Sequence, residues 1–588
     1  MLPPFLRLPR ARSLLAVLAL LVAATLVHPA AVRAADSDSD STAGGDASKQ
    51  HHDEHHDKQD DADARVGFKP GQQRSTGSVT VGGHVIHYIA YAGTLVVHPK
   101  GWDDVPQDAP KDQDTGDQPE ASMFYVAYFR VPDDPTGVGA GAGKKPTDAD
   151  PARLDSVSDT RRPITFLYNG GPGSATVWLH MGAFGPRRVK TLDDSHTPAA
   201  PYQLVNNDHS LLDASDLVFI DAPGTGFSRV GGKDRAKNFF GVDQDAYAFS
   251  DFIVQFLSQY GRWNSPKYLF GESYGTTRSA VLINMLENDR SLDFNGVMLL
   301  SQILTFDNSP DGPETNPGID LPYQLALPTY AATAWYHHKL PGVQRDLAPL
   351  IQEVEHFAMN DYEHALDQGN ALPQDQRQAI AQQLHEYTGL PVDYILKADL
   401  RINGGEFEQN LQGDTETTTG RLDTRFSGPS YDPLAEEAEY DPQASSISSA
   451  YVSSFNDYVR KQLHYGDAIE FKPIDDDINR NWNFLHESPG QAMPLQQSTN
   501  VIPDLEIALK SDPRLHVLLN AGYFDLATPF YEGVYEMQHL RIPDSLRDNI
   551  SYAFYQTGHM VYVSESGLTQ LHDNAAKFIH DTQNVPTP

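Results

Sequence analysis

The sequence predicts an α/β protein: a mostly parallel central sheet flanked by helices, interrupted by an inserted, largely helical cap. Three observations carry this. Short, wholly apolar runs such as Leu217-Val-Phe-Ile220 and Val297-Met-Leu-Leu300 end at turns, as strands buried on both faces do. Gly271-Glu-Ser-Tyr-Gly275 joins the run Lys267–Phe270 to a stretch with Ala280, Ile283 and Leu286 at helical spacing, giving strand, turn and helix in succession. From about Gly312 to Gly490 the apolar pattern becomes helical, and short runs resume at Leu515-His-Val-Leu-Leu519.

Along the chain, residues 1–34 read as a secretory signal peptide. Arg7, Arg10 and Arg12 form a basic start, Leu14–Val27 is apolar, and Val32-Arg33-Ala34 offers a cleavage site before Ala35. The apolar run is short for a membrane span, which needs about 20 residues. An exported protein is therefore expected, secreted or periplasmic, with no membrane attachment after cleavage. Residues 35–75 are expected to be disordered, because Asp36–Arg65 contains no aromatic or large aliphatic residue to bury. Its tract His51-His-Asp-Glu-His-His-Asp57 reads either as a loose metal-binding patch or as a solvated tail.

The first part of the core, 76–311, opens with Val79–Val97, which alternates around Gly82-Gly83 as a hairpin does. Met123–Phe129 follows as a strand, then a Gly-, Asp- and Pro-rich loop leads to the strand Ile164–Tyr168. The cap, 312–490, carries Leu350, Val354, Phe357 and Ala358 at helical spacing, with Pro349 suited to a helix start. Gln374–His385 and Ser448–Leu463 read as further helices. The second part of the core, 491–588, holds the strands Leu515–Leu519 and Ser551–Tyr555.

Composition removes several function classes. Lys and Arg total 44 against 79 Asp and Glu, so the net charge is −35 and nucleic acid is repelled. With no cysteine, the chain has no disulfide, thiol nucleophile, iron–sulfur cluster or thiolate zinc site.

Chemistry points to a nucleophilic serine. Gly271-Glu272-Ser273-Tyr274-Gly275 fits the tight strand-to-helix turn that lifts a serine above a sheet. Such a hydroxyl needs a histidine to take its proton and a carboxylate to orient that histidine. Asp525 and His559 each follow a predicted strand, and the order Ser, Asp, His is that of α/β-hydrolases. An oxyanion needs two N–H donors: one from Tyr274, the other from the loop Asn169-Gly170-Gly171-Pro172-Gly173. No metal or other cofactor is required.

Together these residues resemble the serine carboxypeptidases. The resemblance rests on Asn169-Gly-Gly-Pro-Gly173, Asp221-Ala-Pro-Gly-Thr-Gly-Phe-Ser228, Gly271-Glu-Ser-Tyr-Gly275, the Asp525 loop with Pro529, and Gly558-His-Met-Val561, in family order. It implies Ser273 as nucleophile, His559 as general base then acid, and Asp525 as its orienter. It implies Gly171 and Tyr274 as oxyanion donors, and Asn169, Glu272 and Met560 as the pocket for a terminal carboxylate. The implied substrates are peptides with a free C-terminus, cleaved best at acid pH, where Glu272 and that carboxylate can share a proton.

The chain also departs from the family. Leu167 stands where a tryptophan is usual, Ser174-Ala-Thr176 replaces Cys-Ser-Ser, and the Asp loop reads Gly-Tyr-Phe-Asp rather than Gly-Asp-x-Asp. An esterase or acyltransferase using the same triad, and a catalytically silent binding protein, are the competing readings.

Overall fold

The computed structural model describes residues 68–102, 119–131, 157, 159–342, 345–491 and 497–584. The stretch expected to be a signal peptide, the His51–His56 tract and most of the segment expected to be disordered lie outside them. Fourteen strands occur among the described residues: β1 (Gly71–Val81), β2 (His84–Val97), β3 (Glu120–Arg130), β4 (Ile164–Tyr168), β5 (Arg187–Val189), β6 (Leu204–Asn206), β7 (Asp216–Ile220), β8 (Arg229–Gly231), β9 (Lys267–Glu272), β10 (Gly296–Leu300), β11 (Thr417–Thr419), β12 (Ser427–Pro429), β13 (His516–Gly522) and β14 (Ile550–Tyr555). Strand β1 thus begins at Gly71, inside the stretch up to residue 75 that was expected to lack order. It is held there by antiparallel pairing along the whole of β2, from Gly71↔Thr94 to Val81↔His84. Its two-residue turn puts Gly82 and Gly83 at φ 55° and 81°, a conformation glycine adopts at little cost.

Ten strands form one sheet in the order β1-β2-β3-β7-β4-β9-β10-β13-β14, with β8 beside β3. From β7 through β14 neighbours run parallel, while β1, β2 and β3 extend the sheet antiparallel. The parallel strands β4, β7 and β10 are buried at every position, which is why they read as unbroken apolar runs. Alternate residues serve opposite faces. Val297 and Leu299 join one core with the helices Val242–Tyr260 and Ile502–Ser511. Met298 and Leu300 join the other, with the helices Pro442–Lys461 and Glu565–Thr582.

The inserted region packs in two ways. Helices Leu321–Tyr336, Leu347–Phe357 and Gln374–Thr388 enclose their own core around Tyr330, Val354, Phe357 and Leu384. By contrast, helix Pro442–Lys461 places Ile447, Tyr451, Phe455 and Tyr458 in the core against the sheet. Among the described residues, no helix is long and apolar enough to cross a membrane.

One ion cluster ties the end of the inserted region to the sheet's helices. His486 bridges Asp243 (Nδ1 to Oδ1, 2.6 Å) and Asp504 (Nε2 to Oδ2, 2.8 Å). A neutral imidazole has one N–H, so satisfying both carboxylates requires the cation. Burial opposes the charge, but the two aspartates outweigh it and push His486 up to about 9. Its folded pKa is raised, so the stabilisation is complete below the unfolded value of about 6.5 and is lost as pH rises through about 9. The Tm advantage of wild type over His486→Gln is therefore expected to be largest at pH 6 and to shrink towards pH 9.5. An advantage constant across that range would count against a cationic bridge.

Candidate active site

Each of the five motifs that carry the family resemblance lies at or just past the C-terminal end of a parallel strand. The Asn169 loop follows β4, the Asp221 loop follows β7, Ser273 follows β9, Asp525 lies three residues after β13 and His559 four after β14. After β4 the chain adds β7 on one side and then crosses to add β9 on the other. Open α/β sheets bind ligands at the carboxyl edge beside such a reversal.

Ser273 has φ 60° and ψ −131°, a strained conformation for a residue with a side chain, and it is half-buried between the buried Glu272 and Tyr274. The strain is held by its N–H donating to Leu300 O at 2.9 Å and by the helix Tyr274–Asn284 that starts beside it. Glycine is required in the loop beside the turn: a Cβ on Gly170 would meet the Tyr274 N, with Gly275 N at 2.7 Å and Glu272 O at 2.8 Å. The Asn169 loop therefore lies flat against the start of the helix. Gly171 has φ 109°, and no described group accepts the N–H of either Gly171 or Tyr274. Each is a donor without a described acceptor, which is what an oxyanion would require.

His559 and Asp525 form a buried pair, with Nδ1 2.8 Å from Oδ2. Thr528, which sequence reasoning missed, holds the same carboxylate beside His559. Its N–H donates to Oδ1 at 3.0 Å and its hydroxyl to Oδ2 at 2.8 Å. With Nδ1–H committed to Asp525, Nε2 keeps the lone pair that can take a proton. Burial pulls the imidazolium down, but Asp525 and then Glu272 more than offset it, so the His559 pKa is raised. Ser301 Oγ donates to His559 O at 2.8 Å, which links the histidine loop to the end of β10, the same strand that holds the Ser273 N–H.

Glu272 is the last residue of β9 and is buried. The Tyr562 hydroxyl reaches both of its oxygens, at 2.8 and 3.1 Å. Burial pushes Glu272 up to about 7, opposed first by the His559 charge and then by the Tyr562 hydroxyl and the Asn169 amide. Tyr562 was also missed; a tyrosine three residues after a histidine has no pattern to mark it. Asn169 is fixed by its Oδ1 accepting from Leu179 N at 3.0 Å. Met560 is buried, its Sδ accepting from Gln443 Nε2 at 3.4 Å. The Asp221 loop supports the Asn169 loop, since Asp221 Oδ1 accepts from Thr176 N at 2.8 Å. Among the described residues, no three His, Asp or Glu side chains converge to hold a metal.

The strand order, the crossover at β4 and the serine turn after β9 make this the α/β-hydrolase fold. A family model described as serine carboxypeptidase matches residues 154–571, and the chain belongs to that family. Over 226 residues it is 26% identical to the pheromone-processing carboxypeptidase KEX1 of Saccharomyces cerevisiae (strain ATCC 204508 / S288c). That stretch is 36% of this chain, and the chain spans about 30% of the length of that relative. Among solved structures it is similar to a lipase in its open form, at 12% identity and TM-score 0.29, over 79% of this chain and 96% of the lipase. It is also similar to the peroxisomal α/β-hydrolase Lpx1 of Saccharomyces cerevisiae, at 10% identity and TM-score 0.30, over 88% of this chain and 92% of that one.

Proposed function

We propose that the protein is an exported serine carboxypeptidase-like hydrolase that removes C-terminal residues from peptides through an acyl-enzyme on Ser273. His559 Nε2 takes the Ser273 proton as Oγ attacks the scissile carbonyl. The N–H groups of Gly171 and Tyr274 stabilise the oxyanion. His559 then protonates the leaving amine, and a water activated by the same imidazole releases the acyl group. Asp525, held by Thr528, keeps His559 in the required tautomer throughout.

The observation that carries the peptidase reading is Glu272, a buried carboxyl beside Ser273 whose pKa is pushed up to about 7. Below that pH it is neutral and can share its proton with a substrate carboxylate; above it, the two anions repel. Simple ester hydrolysis has no use for such a group.

Acid preference follows with a defined sign. The ratio of wild-type kcat/KM on a free-acid peptide to that on its amide is expected to fall as pH rises through about 7, because titration of His559 acts on both substrates alike and Glu272 on the acid alone. The C-terminal amide of that peptide should be poorer by about ten- to a hundredfold at acid pH, equivalent to roughly 1.5–3 kcal/mol for a charge-assisted hydrogen bond. Glu272→Gln keeps a donor without a titrating charge and flattens the fall. Tyr562→Phe removes a donor that favours the carboxylate, so it moves the fall to higher pH. These profiles are read on the acid and amide pair with an uncharged ester as control. Equal handling of acid and amide at every pH would move the assignment to an esterase or acyltransferase.

A further inference from the structure

The inserted region reaches back to both loops that carry the His559–Asp525 pair. On the Asp525 loop, Arg421 O accepts from Leu526 N at 3.1 Å, and Thr424 N donates to Phe524 O at 2.9 Å. On the His559 loop, Leu422 O accepts from His559 N at 2.7 Å, and Asp423 Oδ2 accepts from Gly558 N at 3.2 Å. Arg425 completes the set, its Nη2 donating to Thr557 Oγ1 at 3.0 Å and to Asp423 Oδ2 at 2.7 Å. The Asp423–Arg425 pair is buried, with side chains 1% and 6% exposed. The contact leaves no slack: a Cβ on Gly558 would lie 2.5 Å from Asp423 Cα and from Leu422 O.

The segment is anchored from behind as well. Asp441 Oδ2 accepts from Leu422 N at 3.0 Å, Thr333 and Thr424 pair through their hydroxyls at 2.6 Å, and His337 Nε2 lies 2.6 Å from Thr424 O. Asp525 and His559 stand on loops from different strands, joined directly by Phe524 N donating to Thr557 O at 3.1 Å. Their 2.8 Å hydrogen bond needs the two loops held to within tenths of an ångström.

We propose that Asp423 and Arg425 are positioning residues for the reaction, a clamp by which the inserted region fixes the His559 loop against the Asp525 loop. The inserted region is then a working part of the catalytic apparatus and not only a cover over it. This rests on the triad reading given under Proposed function. A misplacement of about 1 Å in a catalytic group costs on the order of a hundredfold, so a loosened clamp is read in turnover rather than in substrate binding.

The test compares Arg425→Met and the milder Thr557→Val with Arg401→Met. Arg401 forms a forked pair with Asp320 inside the inserted region, at 2.7 Å through both arms, and serves as the control for general loss of stability. Each folded full-length protein is assayed well below its Tm for ester turnover and for the rate at which a fluorophosphonate labels Ser273. Arg425→Met is expected to lower kcat and labelling rate together by roughly ten- to a hundredfold. Thr557→Val should lower both by a smaller factor, with KM close to wild type in each. Arg401→Met should lower Tm and leave the labelling rate unchanged. Wild-type labelling in folded Arg425→Met and Thr557→Val, or an equal loss in Arg401→Met, overturns the clamp while leaving the triad standing. A wild-type protein that does not label at Ser273 overturns both.

Discussion

Ser273→Ala is expected to abolish turnover, with a fall of about 10⁴- to 10⁶-fold in kcat, while the protein stays folded. The side chain is half-buried and no described hydrogen bond uses its hydroxyl, so its loss removes chemistry and little packing. His559→Ala should fall by a similar factor. Asp525→Ala should fall somewhat less, since the imidazole then retains only Thr528 Oγ1, 3.2 Å from Nδ1, as an orienting partner. The three losses are not additive, because each residue acts only through the others. A double variant of Ser273 and His559 should thus be no worse than either alone. Thr528→Val separates orientation from chemistry: it removes the 2.8 Å bond to Asp525 Oδ2 and should cost kcat while sparing KM. The checks are kcat on a peptide and on an ester, fluorophosphonate labelling, and Tm. Near-normal turnover in folded Ser273→Ala would sink the assignment.

The sheet was legible because its parallel strands leave nothing ambiguous. Ile164–Tyr168 and Val297–Leu300 are apolar at nearly every position, and the structure buries them on both faces. The serine and aspartate were readable as candidates because each stands just past such a run; the histidine follows β14, an edge strand that is largely unburied, and was readable from the motif around it. Helix starts were less legible. The helix expected at Ser448 begins at Pro442, capped by the Asp441 side chain on Gln443 N at 2.8 Å. That Asp-Pro start was readable, but the polar first turns hid the apolar spacing. The helical stretch from Leu350 is interrupted by a widened turn at Ala358–Tyr362, which leaves no mark in the apolar spacing.

What stayed hidden was the set of polar contacts made across long separations. Tyr562 meets Glu272 across 290 positions, and Arg425 meets Thr557 across 132. Charged residues read singly look like solvated surface. Only the fold shows that Asp423 and Arg278 lie inside, where a charge survives by being paired.

Breaking the Arg278–Asp245 pair is expected to cause the largest loss of stability. Both side chains are fully buried, with Nε 2.6 Å from Asp245 Oδ2, and the guanidinium lies over the Phe249 ring at 4.3 Å and the Tyr168 ring at 5.2 Å. The pair joins the helix that begins after Ser273 to the helix Val242–Tyr260. Arg278 Nη1 also donates to Asn169 O at 2.8 Å, so one cation supports the serine turn and the Asn169 loop, the proposed oxyanion loop, together. Asp245→Asn or Arg278→Met leaves an unpaired group in the core, at a cost of about 3–5 kcal/mol. The double variant Asp245→Leu/Arg278→Met removes both charges and should recover much of that stability, as apolar replacement of a buried pair often does. Activity should not return with it, because Asn169 O has lost its donor and the loop carrying the Gly171 N–H is no longer tied to the helix carrying that of Tyr274. A loss of roughly tenfold in kcat is expected in the double variant, the scale of a misaligned oxyanion donor rather than of one removed. Denaturant midpoints and kcat on a small ester separate the two effects. Single variants within about 1 kcal/mol of wild type would contradict the stability claim, and full activity in the double variant would contradict the link to the oxyanion loop.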